Sequence, residues 1–155
     1  HDTTTAVLTG AAALLIEQRG QRSLLADSPH AVDELVRLIS PALMISRVAG
    51  EPIEIGDTVI DTGAPILLGL AAANRDPEVF PYPDRLDLSR SQTSHLGFGF
   101  GPHVCLGAPL ARMQIRLGLL ALFDRFLELT EQAPLHREPS AVLTSYRSYL
   151  LAGRG

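Results

Sequence analysis

The reading of this chain turns on Phe98-Gly99-Phe100-Gly101-Pro102-His103-Val104-Cys105-Leu106-Gly107. Cys105 is the only cysteine, so it cannot close an internal disulfide, and a secreted, disulfide-stapled fold has no support. The glycines around it permit positive φ and let backbone approach a flat ligand with no Cβ in the way. Pro109 then sits where the first turn of a helix tolerates proline. Leu110, Met113, Leu117, Leu120 and Ala121 recur at helical spacing up to about Phe126. Cys105 therefore precedes a helix, where free backbone N–H groups and the positive end of the dipole favour a thiolate. A lone cysteine is more often a small buried hydrophobe. A cysteine nucleophile would need an activating histidine; His103 lies two residues away, without an evident acid to orient it.

The remaining composition suits one globular domain over residues 1–155. Hydrophobic residues are 46% and charged residues 19% of the chain, enough for a core and unlike a disordered segment. The net charge of -4 leaves no footprint for nucleic acid. No apolar run reaches the length of about 18 residues that spans a bilayer, so neither a membrane nor a nucleic acid is expected as partner. All the basic residues other than histidine are arginines.

Upstream of the loop, a helix is expected from Thr3 to Gln18, with Gly10 as its weak point; it reads as the second half of a longer helix. A short helix from about Gln21 to Ala26 follows. Asp27-Ser28-Pro29 then starts a helix whose face is Val32, Leu35, Val36 and Ile39, stopped by Pro41. Ile53 and Ile55 alternate with polar neighbours, Gly56-Asp57 is turn chemistry, and Val59-Ile60 continues as a strand. Pro65 to Leu70 is a third apolar stretch. Asn74 to Arg90, with three prolines, reads as a long irregular segment of the kind that carries or braces function. Ala141 to Leu151 looks like a short hairpin. The fold class is mainly α with a small β-sheet and hairpin.

Phe98, Gly101, Cys105 and Gly107 fall on the pattern Phe-x-x-Gly-x-x-x-Cys-x-Gly, and Leu110-Ala111-Arg112 follows it. This resembles the haem-ligand signature of cytochromes P-450, in the soluble bacterial branch. The resemblance runs over essentially the whole chain, which corresponds to the C-terminal portion of that fold; a complete member is more than twice as long. It implies haem b held by Cys105 as metal ligand, with Phe98, Gly99, Gly107 and Ala111 against the cofactor and Arg47 and His103 at its propionates. A metal-bound thiolate pushes electron density onto haem iron and favours O–O cleavage, and nearby backbone donors tune it.

The same resemblance assigns Asp2 and Thr3 to an acid–alcohol pair that handles protons. It assigns Glu34 and Arg37 to a Glu-x-x-Arg motif completed by Arg85 from the Pro-rich meander. Ala42, Leu43, Met44, Ile45 and Tyr146 match substrate-lining positions. The expected activity is insertion of one oxygen atom of O2 into a lipophilic organic substrate in the cytoplasm. Electrons would come from NAD(P)H through a ferredoxin-type donor that meets the helix bearing Arg112 and Arg116. The alternative is a non-catalytic truncated remnant that binds haem weakly or not at all.

Overall fold

The computed structural model describes every residue except Gln92, Thr93 and Gly155. The first helix, α1, spans Asp2–Glu17. Ala6, Val7, Gly10, Ala11 and Leu15 form its buried stripe, at the spacing that keeps one helix face inward. A Cβ on Gly10 would stand 2.8 Å from Tyr146 Oη and 3.2 Å from the Ile39 side chain. The glycine that weakens helix propensity is thus what lets α1 approach its neighbours. A 3-10 turn at Arg19–Gln21 and the single-turn α2, Leu24–Asp27, occupy the stretch expected as one short helix.

The central helix α3, Ala31–Ile39, is entered past Ser28, whose hydroxyl accepts the His30 N–H at 3.3 Å. It ends at Ser40, which turns to φ 49 ahead of Pro41. All nine of its residues are buried, including Asp33, Glu34 and Arg37. A short helix that buries three ionisable groups must satisfy each of them.

Strand β1, Met44–Val48, comes next, then the hairpin of β2, Ile53–Ile55, and β3, Thr58–Ile60. Gly56, at φ 57, makes the expected turn between them. Strand β4, Pro65–Gly69, returns antiparallel to β1, pairing Met44 with Gly69 and Val48 with Pro65. The pairing across this long loop is what makes 44–48 a strand, and its sequence carries no clean alternation to announce it. A one-turn helix α4, Leu70–Ala73, leads into the irregular segment, which buries Phe80, Leu86 and Leu88.

After the cysteine loop, α5 spans Ala108–Arg125, followed by β5, Glu128–Glu131, which pairs antiparallel with β6, Leu151–Arg154. The strands expected within Ala141 to Leu151 are not there. Instead an irregular hairpin joins His136 to Arg147 by Glu138 N–H to Ser145 O (2.9 Å) and Arg147 N–H to His136 O (3.1 Å). The reason is local: Ser140 Oγ accepts the amides of Val142 and Leu143, and Thr144 Oγ1 donates to Ser40 O at 2.9 Å. These side chains divert backbone from a ladder.

The core lies where α1, α3 and α5 meet, closed by Leu86 and Leu88. α5 sits in it with a face that its apolar spacing does not indicate. Ile115 and Leu119 are buried, whereas Leu110, Met113 and Leu117 are more than half exposed. Arg112 and Arg116 share the inward side and fix this rotation: each guanidinium ends on acceptors supplied by the α2–α3 region. Among the described residues no helix is long and apolar enough to cross a membrane.

Candidate haem-binding site

Two consecutive acids on α3 organise the site. Glu34 receives Arg37 Nε at 2.7 Å and Arg37 Nη2 at 2.9 Å, a two-pronged pair in which both side chains are almost fully buried. Arg37 Nη1 also donates to the carbonyls of Asn74 (2.8 Å) and Pro83 (2.7 Å), and its guanidinium lies 5.1 Å from the Phe80 ring centroid. Glu34 further accepts the Asp87 N–H at 3.1 Å and Arg90 Nε at 3.1 Å. The third member of the cluster is therefore Arg90, not Arg85. Arg85 is exposed, whereas the Arg90 side chain is 10% exposed. The cause is the turn of backbone between them: it directs Leu86 and Leu88 into the core and brings Arg90, five residues on, back over Glu34.

Asp33 faces the other way. Its Oδ1 accepts Arg112 Nε at 2.9 Å and Arg112 Nη2 at 2.8 Å, and lies 3.0 Å from His95 Nε2. Burial alone would raise this carboxyl, but the hydrogen bonds from His95 and Arg112 and their charge outweigh it and hold Asp33 below the usual carboxylate range. Asn74, fully buried, accepts the Leu96 N–H at 2.7 Å. A Cβ on Gly97 would stand 2.6 Å from Val36 Cγ1, so only glycine lets the loop lie this close to α3. Neither Asp33 nor His95 stood out in the sequence; an Asp one residue before a Glu-x-x-Arg was the available signal.

The cysteine loop leaves this anchorage and opens outward. Gly99 and Gly101 take positive φ of 77 and 72, conformations that favour glycine. The Cys105 N–H donates to Phe98 O at 2.8 Å, and Gly107 caps the start of α5. The Cys105 side chain is exposed. A Cβ on Gly107 would come 3.9 Å from its Sγ, so bare backbone stands beside the sulfur. The thiol opens on a cavity of about 690 Å³, inside the range of about 300–1,000 Å³ usual for small-molecule sites.

Thr3, Ala42, Ile45, Arg47, Phe98, Gly99, His103, Cys105, Gly107 and Ala111 all line that cavity, so most of the expected site residues converge. Leu43 and Met44 do not; within β1 the alternation of side chains turns Ile45 and Arg47 to the cavity and Met44 away from it. Asp2 and Tyr146 line an adjoining pocket of about 170 Å³ with Thr5, Thr9 and Ser145. Burial pushes the Tyr146 phenol up, with Arg137 pulling it back. Leu68, Leu70, Leu96, Phe100, Leu110 and Gln114 also line the main cavity. They were illegible beforehand because strand pairing and helix rotation decide their direction. Arg112 and Arg116 spend their donors inside the chain: Arg116 reaches Leu25 O at 2.6 Å and Ser28 O at 2.7 Å.

A family model described as Cytochrome P450 matches residues 21–151. The chain belongs to the cytochrome P450 family. It is 40% identical over 133 residues to a cytochrome P450 of Priestia megaterium, covering 83% of this chain and 32% of that protein. It is 44% identical over 102 residues to the 6-deoxyerythronolide B hydroxylase of Saccharopolyspora erythraea, covering 66% of this chain and 25% of that protein. Its structure is similar, with a TM-score of 0.91 and 33% identity, to P450BioI in a crystal structure with an acyl carrier protein ligated to hexadec-9Z-enoic acid; the match covers 99% of this chain and 41% of that one. The chain thus spans about a quarter to a third of the length of these curated relatives.

Cytochromes P450 use haem, and the residues here fit one. The cavity offers an accessible thiol, glycine backbone on either side of it, and walls of Leu, Ile and Phe. Its charged and titratable lining groups, His1, Arg47, His103 and Cys105, include no carboxylate. A flat apolar ring carrying carboxylates matches such a lining, since Arg and His complement a carboxylate.

Proposed function

We propose that this chain is the haem-binding portion of a haem-thiolate monooxygenase that inserts one oxygen atom of O2 into a lipophilic substrate. The observation that carries the reading is the exposed Cys105 thiol at the mouth of a helix-start loop, opening on a cavity with apolar walls and basic groups. When bound, haem b would supply the activation of dioxygen. The chain's own residues do the rest. Cys105 would donate the sulfur ligand, Gly99 and Gly107 would leave bare backbone beside it, and Arg47 and His103 would pair with the cofactor's carboxylates. Ala42 and Ile45 face the substrate space. Thr3 carries its hydroxyl into the cavity, and Asp2, lining the adjoining pocket, is the acid of the pair that relays protons. Glu34, Arg37 and Arg90 brace the frame. A cytoplasmic location and a ferredoxin-type electron donor go with this reading.

The test is the spectrum of the reduced, carbon-monoxide-bound, haem-loaded full-length protein. Wild type should show the red-shifted band of thiolate-ligated haem. Cys105→Ser and Cys105→His should lose both that band and oxygen insertion. A variant that keeps both overturns the assignment.

A further inference from the structure

Asp33 is not among the residues lining the cavity, yet a continuous line of contacts joins it to Cys105. The Gly97 N–H donates to His95 Nδ1 at 3.0 Å, so Nδ1 is an acceptor and the ring proton sits on Nε2. That proton points at Asp33 Oδ1, 3.0 Å away. The His95 side chain is 3% exposed, and a fixed tautomer with both nitrogens engaged holds the ring in one orientation. Arg112 is held by the same Asp33 oxygen through two N–H groups and stacks over the Phe98 ring, 4.4 Å from its centroid. The His95 ring lies 5.7 Å from Phe98 on a tilted plane. Phe98 is therefore gripped by two side chains that both answer to Asp33. Phe98 lines the cavity, and its carbonyl accepts the Cys105 N–H at 2.8 Å.

We infer that Asp33 is the positioning residue of the ligand loop. Through His95 and Arg112 it fixes Phe98, and through the Phe98 carbonyl it fixes the backbone from which Cys105 presents its sulfur. This deepens the monooxygenase reading and rests on it. The arrangement separates two tasks on adjacent residues: Glu34 holds the irregular segment, and Asp33 holds the ligand. Groups that orient a ligand from one shell out are worth about 10- to 100-fold in metal affinity or activity. The charge matters as well as the shape: all three N–H groups converge on the one oxygen, Oδ1, and an amide oxygen there still accepts but carries no negative charge to pair with Arg112.

The experiment compares the haem-loaded full-length protein with Asp33→Asn, His95→Asn and His95→Gln. Each is read by the position of the carbon-monoxide band and by the rate of haem loss to an excess of a haem-scavenging protein. Asn at 95 can keep an acceptor for the Gly97 amide but cannot reach Asp33; Gln can reach Asp33 but offers Gly97 no acceptor. We expect Asp33→Asn and His95→Asn to shift the band population from the red-shifted to the unshifted form and to speed haem loss about 10- to 100-fold. His95→Gln, which keeps the reach to Asp33, should move both readouts less than His95→Asn. Thr144→Val, which removes a buried hydroxyl remote from the loop, is the destabilised control and should leave the band in place. Retention of the red-shifted band by Asp33→Asn, or loss in His95→Gln with retention in His95→Asn, overturns the inference. The His95 pair decides the matter if Asp33→Asn does not fold. Absence of the red-shifted band in wild type would instead sink the underlying monooxygenase reading.

Discussion

Two irregular segments, both punctuated by proline or glycine, meet opposite fates in this molecule. In the segment from Asn74 to Arg90, Asn74, Phe80, Leu86 and Leu88 are buried, and side chains answer several of its backbone groups. Arg37 takes the carbonyls of Asn74 and Pro83, Arg90 takes that of Pro81, and Gln21 receives the Leu88 amide at 3.0 Å. The loop from Phe100 to Gly107 is exposed at every residue. It is held at its base by the Phe98–Cys105 hydrogen bond and one Gly101–Val104 turn. Buried backbone without regular structure survives only when each polar group is answered. A loop that is to receive a ligand keeps its surface uncommitted and relies on a rigid frame behind it. The first segment is that frame.

The largest expected effect tests the frame. Arg37→Ala removes the two-pronged partner of buried Glu34 and the donor to the Asn74 and Pro83 carbonyls, and should cost about 3–5 kcal/mol. Urea or thermal unfolding of the full-length protein would measure it, and a normal midpoint with full haem would show that the pair is not needed.

Next comes the choice between the two arginines of the second half of the segment. Arg90→Ala should cost about 1.5–3 kcal/mol, the usual range for a hydrogen bond to a charged group. Arg85→Ala should stay within about 0.5 kcal/mol, as exposed positions generally do. Equal losses, or a larger loss at Arg85, would contradict the arrangement around Glu34.

The smallest effect concerns acid. The Asp33 carboxyl is depressed below its ordinary value of 3.8. Its ionised form is therefore favoured in the folded state, and that stability is present above the ordinary value and lost as pH falls through the depressed one. Both His95 and Arg112 hydrogen-bond this carboxylate, so the loss on acidification comes from Asp33 taking up a proton. The stability difference between wild type and Asp33→Asn should hold steady above about pH 5 and shrink below the ordinary Asp range of about 3.9. A difference that persists unchanged into strong acid would contradict the charge pairing.

Much of the local structure was legible in the chain itself. The helix expected from Thr3 to Gln18 follows from its apolar spacing, and the turn at Gly56-Asp57, the stop at Pro41 and the helix start after Cys105 follow from φ preferences, which act within a few residues. The pattern around Cys105 was readable for the same reason: its glycines, its proline and its sulfur are near neighbours. The pairing partners were not. Arg90 rather than Arg85 reaches Glu34, and Asp33 rather than a surface acid grips His95 and Arg112. Those contacts close loops of 56, 62 and 79 residues, and no propensity reaches that far. The rotation of α5 shows the same limit. Its apolar spacing announced a helix but not which side faces the core: Ile115 and Leu119 point inward, while Leu110, Met113 and Leu117 are more than half exposed. Sequence determines which segments become helix, turn or ligand loop, because those choices are local. Which face is buried, and which charge is answered by which partner, is decided only when the segments meet, because the free energy of burying an ion depends on what lies beside it.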